Sequence, residues 1–458
     1  MFQIDFKKPI HVHFIGIGGI SMSGLAEILL DRHFTVSGSD RSLSSITDHL
    51  AQIGARIACP QSADNVTDDV DCFVYTAAIS QDNPEWLAAK ATGKPMLTRA
   101  QLLGQIMRHY SESIAIAGTH GKTTTTSMIS MLLLESAQKP TISVGGFLDA
   151  IHSNVHVGDS DRFVAEACEY TNSFLEFYPK YSIILNIEAE HLDFFKDLDD
   201  IRHSFKQFAE HTAADGLLVI NGEIPDRQAL VSEVRSEVET YGFSDTDDWH
   251  PGQISYDSLG CACFVPYYRG RALPPIQLHV PGRHNIGNAL AVLAVAHRMG
   301  LSEDEIRQGF AAFHGADRRF QYKGRFHGAT IIDDYAHHPT EIRASLAAAK
   351  NYPHKRIVVV FQPHTYTRTK AFLEDFAQAL SSADRVILAD IYAAREKDIY
   401  GVSSLDIKKR LDAAGVDCLY FPSFEEIENY LRKNSVDGDL LITMGAGNVV
   451  QIGEDLLK

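Results

Sequence analysis

The chain has 458 residues, enough for about three domains of ordinary size. With 45% hydrophobic and 22% charged residues, its composition is that of a folded globular protein and excludes a disordered or fibrous chain. The formal net charge of −17 argues against non-specific binding to nucleic acid or to an anionic membrane surface. We therefore expect no nucleic-acid partner.

The length of the apolar runs and the spacing of the cysteines indicate the cellular compartment of the protein. No apolar run approaches the ~20 residues that a membrane span needs, and the N-terminal segment MFQIDFKKPI lacks the apolar stretch of a signal peptide. The six cysteines are scattered, with no Cys-x-x-Cys spacing, which favours reduced thiols over disulfides or a zinc site. These patterns predict a cytoplasmic protein without membrane insertion.

Short β-branched runs alternate with longer helical patterns, and this rhythm predicts α/β domains with parallel sheets covered by helices. Three blocks can be separated, which predicts domains at residues 1–108, 109–317 and 318–458. The expected elements, in chain order, are strands at His11–Ile17, Phe34–Ser39 and Cys72–Thr76, a helix at Arg99–Arg108, strands at Ile114–Ala117, Phe163–Ala165, Ser182–Asn186 and Leu217–Asn221, irregular or antiparallel strands over 244–281, a helix at Asn285–Met299, and strands at Ala329–Asp333, Arg356–Phe361, Arg385–Ala389 and Leu440–Thr443.

A glycine-rich turn follows the first predicted strand. Its glycines permit a tight turn and allow backbone N–H groups to approach a phosphate at a helix N-terminus. Ser21 stands where a dinucleotide fingerprint has its third glycine, which favours a nucleotide diphosphate over NAD or FAD. We predict a nucleotide-diphosphate site at Gly16, Gly18, Gly19, Ser21 and Asp40, the last at a ribose-binding position. Glycines that serve only helix packing are the alternative.

A second phosphate loop, GTHGKTTTT, follows the strand Ile114–Ala117 and opens a helix. Lys122 would pair with the β- and γ-phosphate oxygens, and the Thr123 hydroxyl would hold Mg²⁺. Ile116 occupies the first glycine position of the usual spacing, but the strand, turn and helix context is kept. We predict ATP binding by Gly118, Thr119, His120, Gly121, Lys122, Thr123 and Thr124. Two phosphate loops suggest that ATP acts on a second, nucleotide-like substrate.

Polar residues end two further strands of the middle block. Glu166 is placed for Mg²⁺ at the carboxyl end of a strand beside the phosphate loop. His191 lies in the segment EAEHLD after the next strand. Such a histidine is more often an ordinary loop residue, but the shared placement favours a metal site. Glu169, in the segment EACEY, receives no role.

The last predicted helix of the middle block begins near Asn285, a reasonable N-cap. His284 and Asn288 could instead contact a nucleotide base. The third block then opens with a basic stretch over residues 318–325, which in an acidic chain fits a phosphate or carboxylate better than a solvated face.

The segment DDYAHHPTEI, which contains Asp334, Tyr335 and His337, places acids, a tyrosine and histidines at one strand-to-helix turn. Pro339 is expected to start the helix. A cluster that only caps the helix is the alternative reading. Arg368 follows a later strand, and its guanidinium could fork onto a carboxylate.

Eight segments together resemble the Mur ligase family, in the family's order and over residues 11–448. They are HFIGIGGISMSGLAEIL, GTHGKTTTT, NIEAEHLDFF, HNIGNALA, RRF, DDYAHHPTEI, FQPHTYTRT and TMGAGN. The resemblance implies a Rossmann-like N-terminal domain for a UDP-sugar, a central P-loop ATPase domain, and a Rossmann-like C-terminal domain that brings the amino acid.

The resemblance is closest to the alanine-adding branch of the family. It implies an ATP-dependent amide ligase that joins L-alanine to the lactyl carboxylate of UDP-N-acetylmuramate through an acyl phosphate, in the peptidoglycan synthesis that supports cell shape and division. The expected ligands are therefore UDP-N-acetylmuramate, L-alanine, ATP and Mg²⁺, and the protein is expected to be a monomer or weak homodimer. A recycling ligase that adds a tripeptide, and an NAD-dependent oxidoreductase, are the alternatives.

Site residues also follow from the resemblance. It implies ATP contacts by His284, Asn288, Arg319 and Asp334, a magnesium site at Thr123, Glu166 and His191, an alanine site at Tyr335, His337 and Arg368, and catalytic roles for Lys122, His191 and His337. Two departures stand out. Thr365 replaces an arginine that helps to hold the alanine carboxylate in many members. Phe205, beside Lys206, occupies the register of a lysine that sibling ligases carbamylate, so no carbamylation is expected.

Overall fold

The first sheet consists of short strands that alternate with helices along the chain. In the computed structural model, which describes residues 2–76, 78–394 and 396–458, these elements are β1 (His11–Ile15), α1 (Ile20–Asp31), β2 (Thr35–Ser39), α2 (Ser45–Gln52), β3 (Arg56–Ala58), β4 (Cys72–Tyr75), α3 (Pro84–Ala91), β5 (Met96–Thr98) and α4 (Arg99–Met107). The strands are all parallel in the order β3-β2-β1-β4-β5. The strand order reverses between β1 and β4, where α/β sheets bind ligands beyond the carboxyl ends.

The second sheet follows directly in the chain. Its elements are β6 (Glu112–Ala117), α5 (Lys122–Glu135), β7 (Thr141–Leu148), β8 (Ser153–His156), β9 (Arg162–Ala167), β10 (Tyr181–Ile184), α6 (Leu198–Glu210), β11 (Leu217–Asn221), α7 (Arg227–Val231) and β12 (Glu237–Tyr241). The order is β12-β11-β10-β6-β9-β7-β8, with β8 antiparallel to β7. Together with the first sheet it belongs to one unit, Met1–Trp249 with Ala291–Gly309.

The second unit comprises His250–Leu290 and Phe310–Lys458. The chain between the second and third sheets forms β13 (Trp249–Tyr256), β14 (Cys261–Tyr268), β15 (Arg271–Ala272), β16 (Ile276–Pro281), α8 (Arg283–Arg298) and α9 (Glu303–Ala312). β14 pairs antiparallel with both β15 and β16.

The third sheet lies wholly in the second unit. Its elements are β17 (Gln321–Phe326), β18 (Ala329–Asp334), α10 (Pro339–Ala349), β19 (Arg356–Phe361), α11 (Tyr366–Ala371), α12 (Leu373–Leu380), β20 (Arg385–Leu388), α13 (Ser404–Ala413), β21 (Cys418–Tyr420), α14 (Phe424–Asn434), β22 (Asp439–Met444) and α15 (Val450–Leu456). The order is β17-β18-β22-β19-β20-β21, and only β17 pairs antiparallel. Alternate residues of the buried strands feed two cores, one on each face.

Two expectations about local structure were wrong. The second and third sheets are mixed rather than parallel throughout, because short hairpins add β8 and β17 at their edges. Helix α8 begins at Arg283, so Asn285 is not its N-cap. The Asn285 side chain instead donates to the carbonyl of Pro281, 2.8 Å away, and Gly282 turns the chain into the helix at φ +101°. None of the described helices is long and apolar enough to cross a membrane.

Gly104 in α4 allows the helix to lie directly on backbone, and this contact gives a stability prediction. A Cβ at Gly104 would meet the carbonyl oxygen of Glu176. Gly104→Ala should therefore lower the thermal unfolding midpoint, with a cost of about 1–3 kcal/mol. Gly453→Ala in α15 is the matched control, because its Cβ would meet side chains and no backbone, the nearest atom being the Ile331 methyl at 3.1 Å, and alanine gains about 1 kcal/mol in helix propensity. Equal midpoints for the two variants would contradict the packing argument.

Candidate active site

The second phosphate loop is shaped by glycines and held by one asparagine. Gly118 and Gly121 have φ of +148° and +85°, and a Cβ at Gly118 would lie 2.8 Å from that of Leu185, so side chains are excluded there. Asn186, just after β10, accepts from His120 N at 2.7 Å and donates to His120 O at 3.0 Å. The loop backbone is thus fixed, with its N–H groups at the start of α5.

Lys122 is the first residue of α5, and its amine lies at the mouth of this loop. It donates to the carbonyls of Gly118 (2.5 Å) and Thr119 (3.1 Å) and to the Glu169 carboxylate (3.0 Å). Burial is the largest single effect and lowers the pKa of Lys122, but the charge and hydrogen bond of Glu169 together with the nearby Cys168 and Glu166 outweigh it, so the net pKa lies above its ordinary value. The loop therefore carries a charged ammonium at neutral pH.

The three predicted magnesium residues lie around the same loop. Thr123 is buried in the first turn of α5, and Glu166 ends β9 with Oε1 accepting from Gly145 N at 2.7 Å. A Cβ at the next residue, Gly146, would lie 3.1 Å from the Thr123 methyl group. Adjacent glycines of β7 thus lie against Thr123 and Glu166, which places both side chains at one end of the sheet.

Glu169 links the third magnesium candidate to the lysine, and sequence reasoning missed its importance. Its carboxylate is 2% exposed, lies 3.0 Å from Lys122 Nζ, and lies 3.9 Å from His191 Nε2. The His191 ring packs on Tyr170, with ring centroids 4.6 Å apart. The segment EACEY showed a second acid, but a pairing across 47 residues needs the fold.

The glycine loop after β1 is organised by Asp40. Gly16 adopts φ +88°, the Gly18 N–H donates to Asp40 Oδ2 at 2.8 Å, and the Arg41 N–H donates to Oδ1 at 2.7 Å. One carboxylate oxygen thus holds the glycine loop and the other holds the turn after β2, a role that the ribose prediction did not anticipate.

The α1 N-terminus at this loop is open to an anion. Gly19 precedes α1 without a side-chain cap, and Ser21 lies exposed in a first turn that has no acidic residue. Such an uncompensated helix N-terminus favours an anion.

A cavity of about 400 Å³ opens beside the first turn of α1. It is lined by α1, α2 and the β7–β8 hairpin, including Ile20, His49, Phe147 and Asn154. The Asn154 amide donates to the carbonyl of Ile20 at 3.2 Å, so the hairpin is tied to the end of the glycine loop. The volume lies within the range of small-molecule sites.

The second unit gathers the amino-acid candidates. His337 Nδ1 lies 3.0 Å from the carbonyl of Tyr335 and 3.2 Å from Glu341 Oε2. The His337 and His364 rings are 5.8 Å apart, and Arg368 Nη1 donates to His364 Nδ1 at 2.8 Å. Tyr335, His337 and Arg368 are therefore brought together as predicted, with His364 as an unpredicted neighbour.

Thr365 lies in the same cluster with an unusual backbone. Its φ of +64° and ψ of 147° are costly for a β-branched residue, by about 1–3 kcal/mol. Its amide donates to the carbonyl of Tyr392 at 2.9 Å, and its hydroxyl accepts from Arg368 N at 3.4 Å. Strain of this kind is concentrated at functional sites.

Asp334 ends β18 in a buried position. It accepts hydrogen bonds from Ala336 N at 2.8 Å and from the Ser345 hydroxyl. Burial raises the pKa of Asp334 to about 6, against the lowering effect of those two hydrogen bonds and of Arg319. Burial also lowers the pKa of His284 to about 4, so its imidazole is neutral at pH 7. The Asn288 amide is held by Asn285, 3.0 Å away.

Two cations of the basic stretch 318–325 have structural partners. Arg318 donates to Asp333 at 2.9 Å and to the carbonyls of Gly445 and Gly447. Lys323 pairs with Glu454 at 2.9 Å. Arg318 and Arg319 both lie over the Tyr335 ring, each 4.9 Å from its centroid. Arg318 and Lys323 of the predicted anion patch therefore stabilise contacts of the third sheet.

Comparisons with known proteins agree with this arrangement of a glycine loop, a phosphate loop and a polar strand-to-helix turn. The Mur ligase family catalytic domain matches residues 11–111, the Mur ligase middle domain matches 116–296, and the Mur ligase glutamate ligase domain matches 318–447. The chain belongs to the Mur ligase family. This membership sets aside the oxidoreductase alternative, and the three-domain α/β architecture expected from the sequence is confirmed.

Three individual proteins show how similar the chain is to known members of the family. The chain is 62% identical to the UDP-N-acetylmuramate--L-alanine ligase of Agathobacter rectalis, with all of both chains covered. It is similar to the crystal structure of the UDP-N-acetylmuramate-alanine ligase from Thermotoga maritima, with 29% identity, a TM-score of 0.81 and 98% of each chain covered. A murein peptide ligase from Psychrobacter arcticus shares the fold at 22% identity and a TM-score of 0.70, again over 98% of each chain.

Proposed function

We propose that this protein joins L-alanine to the lactyl carboxylate of UDP-N-acetylmuramate at the expense of ATP, in peptidoglycan synthesis. The observation that carries the proposal is full-length 62% identity to a relative of that name. The lactyl carboxylate attacks the γ-phosphate, which gives an acyl phosphate and ADP. The alanine amine then attacks the acyl carbon, and inorganic phosphate leaves as the amide forms.

The phosphate loop carries the charge stabilisation in this proposal. Lys122 and the loop N–H groups bind the β- and γ-phosphate oxygens, where negative charge develops in both steps. Oxygen donors from Thr123 and Glu166 suit Mg²⁺, which prefers hard ligands. The imidazole of His191 suits it less well, and the adjacent Glu169 supplies a further oxygen. When bound, the cation would neutralise phosphate charge.

The remaining ligand sites are proposed in the same way. The glycine loop and the cavity beside α1 bind the sugar nucleotide, and the base and ribose of ATP are assigned to His284, Asn288 and Asp334, with Arg319 on the phosphate side. Tyr335 and Arg368 bind the amino acid. A cytoplasmic location and a monomer or weak homodimer complete the proposal.

His337 is our candidate to accept the proton that the alanine amine must lose. Its Nδ1 faces two acceptors, the Tyr335 carbonyl and the Glu341 carboxylate. Nδ1 therefore carries the hydrogen in the neutral ring, and Nε2 is the basic nitrogen. That tautomer is the one a general base at this position requires.

Phosphate release with a panel of acceptors tests the function. We expect release only with ATP, Mg²⁺, UDP-N-acetylmuramate and L-alanine together. Release that is fastest with the tripeptide L-alanyl-γ-D-glutamyl-meso-diaminopimelate would support the recycling alternative. Release that does not depend on the sugar nucleotide would refute both.

Asp334 gives a pH prediction for ATP. The pKa of Asp334 is raised from 3.8 to about 6, so the carboxyl binds its proton more tightly in the folded state than in the unfolded state. The resulting contribution to the free energy of unfolding is fully present below pH 3.8 and is lost as pH rises through 6. Hydrogen bonds from a ribose need the ionised carboxylate. The KM for ATP should therefore rise about fourfold between pH 7.5 and 5.5, and Asp334→Asn should flatten this profile. An unchanged slope in the variant would contradict the assignment.

A further inference from the structure

A continuous hydrogen-bonded array lies within the first sheet, away from the residues assigned above. His11 and His13 point to the same face of β1, since they are two residues apart. The Ser37 hydroxyl of β2 lies between them, 2.7 Å from His11 Nε2 and 2.7 Å from His13 Nδ1. All three residues are buried, with exposures of 7%, 2% and 8%.

At the His13 end, the array terminates at the hydrogen-bond acceptors of the Glu85 carboxylate. Glu85, at the start of α3, is fully buried, and its Oε1 lies 2.7 Å from His13 Nε2. Its Oε2 accepts from Ser62 N at 2.9 Å and from Asn65 Nδ2 at 3.0 Å. Burial is the largest single effect and raises the pKa of Glu85, but its hydrogen bonds, led by those from His13 and Asn65, and the nearby His13 ring together lower the pKa by more, so Glu85 is a carboxylate at neutral pH.

The His11 end also meets only acceptors. His11 Nδ1 lies 3.1 Å from the carbonyl of Asp69 and 3.2 Å from its carboxylate. That carboxylate is 58% exposed and faces Arg56 of β3 at 3.4 Å. The Asp71 carboxylate accepts the backbone N–H of His11, and the ring of Phe73 packs edge-on against His13.

Counting hydrogens shows that two neutral imidazoles and one hydroxyl cannot satisfy this geometry when Glu85 is ionised, as the two donors on its Oε2 favour. The path from Glu85 through His13, Ser37 and His11 to Asp69 contains four hydrogen bonds, and each needs one hydrogen. Two neutral imidazoles and one hydroxyl supply only three. With both histidines neutral, the hydroxyl would face a nitrogen lone pair on each side and could donate to only one. The other 2.7 Å contact would be repulsive.

We infer that the array holds one additional proton at neutral pH, and that it resides on His13 as an imidazolium paired with Glu85. His13 then donates to Glu85 and to Ser37, Ser37 donates to His11, and His11 donates to Asp69, so every contact is satisfied. Placing the proton on His11 would also complete the count. His13 is favoured because its partner carboxylate is fully buried, where a charge pair is screened least.

The array acts on the glycine loop through the strands that carry it. β1 leads into Gly16, and β2 leads into Asp40, which holds the Gly18 N–H. Loss of the proton would break one of the four bonds, three of which tie β1, β2 and α3 together. His13, Ser37 and Glu85 are therefore positioning residues for the sugar-nucleotide loop, a consequence that rests on the proposed function.

Nitrogen NMR of protein labelled with ¹⁵N-histidine tests the protonation directly, without reference to activity. At pH 7.5 we expect the His13 ring to have both nitrogens protonated and the His11 ring to be neutral, with the signals assigned from His13→Gln and His11→Gln. Glu85→Gln should return His13 to the neutral form. A neutral His13 in the wild-type protein, or a protonated Glu85 in the carboxyl ¹³C spectrum, would overturn the inference.

Ser37→Ala provides a second variant that removes the bridge and keeps the charge pair. It should leave His13 protonated while the KM for UDP-N-acetylmuramate rises and kcat stays within about twofold. Ser382→Ala, an exposed serine in the turn before β20, is the matched control, with no expected change. An unchanged KM in Ser37→Ala would refute the positioning role. If no sugar nucleotide binds to the wild-type protein, the proposed function fails while the NMR result still decides the protonation.

Discussion

Lys122→Ala is expected to reduce phosphate release by about 100- to 1,000-fold, a loss comparable to removal of a donor that stabilises transition-state charge. The ammonium is the side-chain cation of the phosphate loop that we assign to the β- and γ-phosphates, so kcat should fall even at saturating ATP. The sugar nucleotide should still bind with wild-type affinity, because its proposed site, the glycine loop and the cavity beside α1, does not include Lys122. Stopped phosphate-release assays and calorimetric titration with UDP-N-acetylmuramate measure the two effects separately.

Lys433→Ala, an exposed lysine on α14, controls for the loss of one positive charge and should retain full activity. If Lys122→Ala lost sugar-nucleotide affinity as well, the two sites would not be separate. If it kept wild-type turnover, the phosphate loop would not serve the reaction.

Arg368→Ala should raise the KM for L-alanine by about 10- to 150-fold, because a hydrogen bond to a charged group contributes about 1.5–3 kcal/mol. Arg368 lies in the cluster with Tyr335, His337 and His364, and Thr365 leaves it as the arginine that we assign to the alanine carboxylate. The KM for ATP should not change. Initial rates at varied alanine, with ATP and the sugar nucleotide saturating, provide the measurement.

Restoring a guanidinium at the neighbouring position sharpens this test. Thr365→Arg in the Arg368→Ala background should recover part of the alanine affinity, because position 365 is where many family members have that arginine. Lys370→Ala, on the same helix but exposed, is the matched control and should behave as wild type. A normal alanine KM in Arg368→Ala would mean that another group binds the carboxylate.

Buried strands were predictable because their apolar runs are continuous and bounded by polar residues. Leu217–Asn221 and Arg356–Phe361 were predicted to the residue. The other strands predicted from the sequence differ from those of the structure by at most three residues at either end. The edge strands β8 and β17 were missed. They are only partly buried and mix polar with apolar residues, so their pairing comes from a hairpin rather than from a hydrophobic pattern.

Single site residues were predictable where a local motif carries the chemistry. The phosphate loop is such a case, because strand, turn and helix occur within a short stretch of chain. Glu169 and Asn186 were missed because their contacts with Lys122 and His120 join distant segments. Asn285 was misassigned for a related reason. Its side chain can cap a helix, but Gly282 starts the turn earlier and leaves Asn285 inside α8.

Because Lys122 is paired with Glu169, binding of a phosphate to this lysine would exchange one anion for another. Under the proposed function, an incoming phosphate would take the place of the Glu169 carboxylate on the same ammonium, so that carboxylate would compete with weakly bound anions such as free phosphate. Its release leaves a negative charge beside His191. Nucleotide binding thereby creates the demand for a cation, and the two ligands should bind with positive coupling even before any substrate arrives.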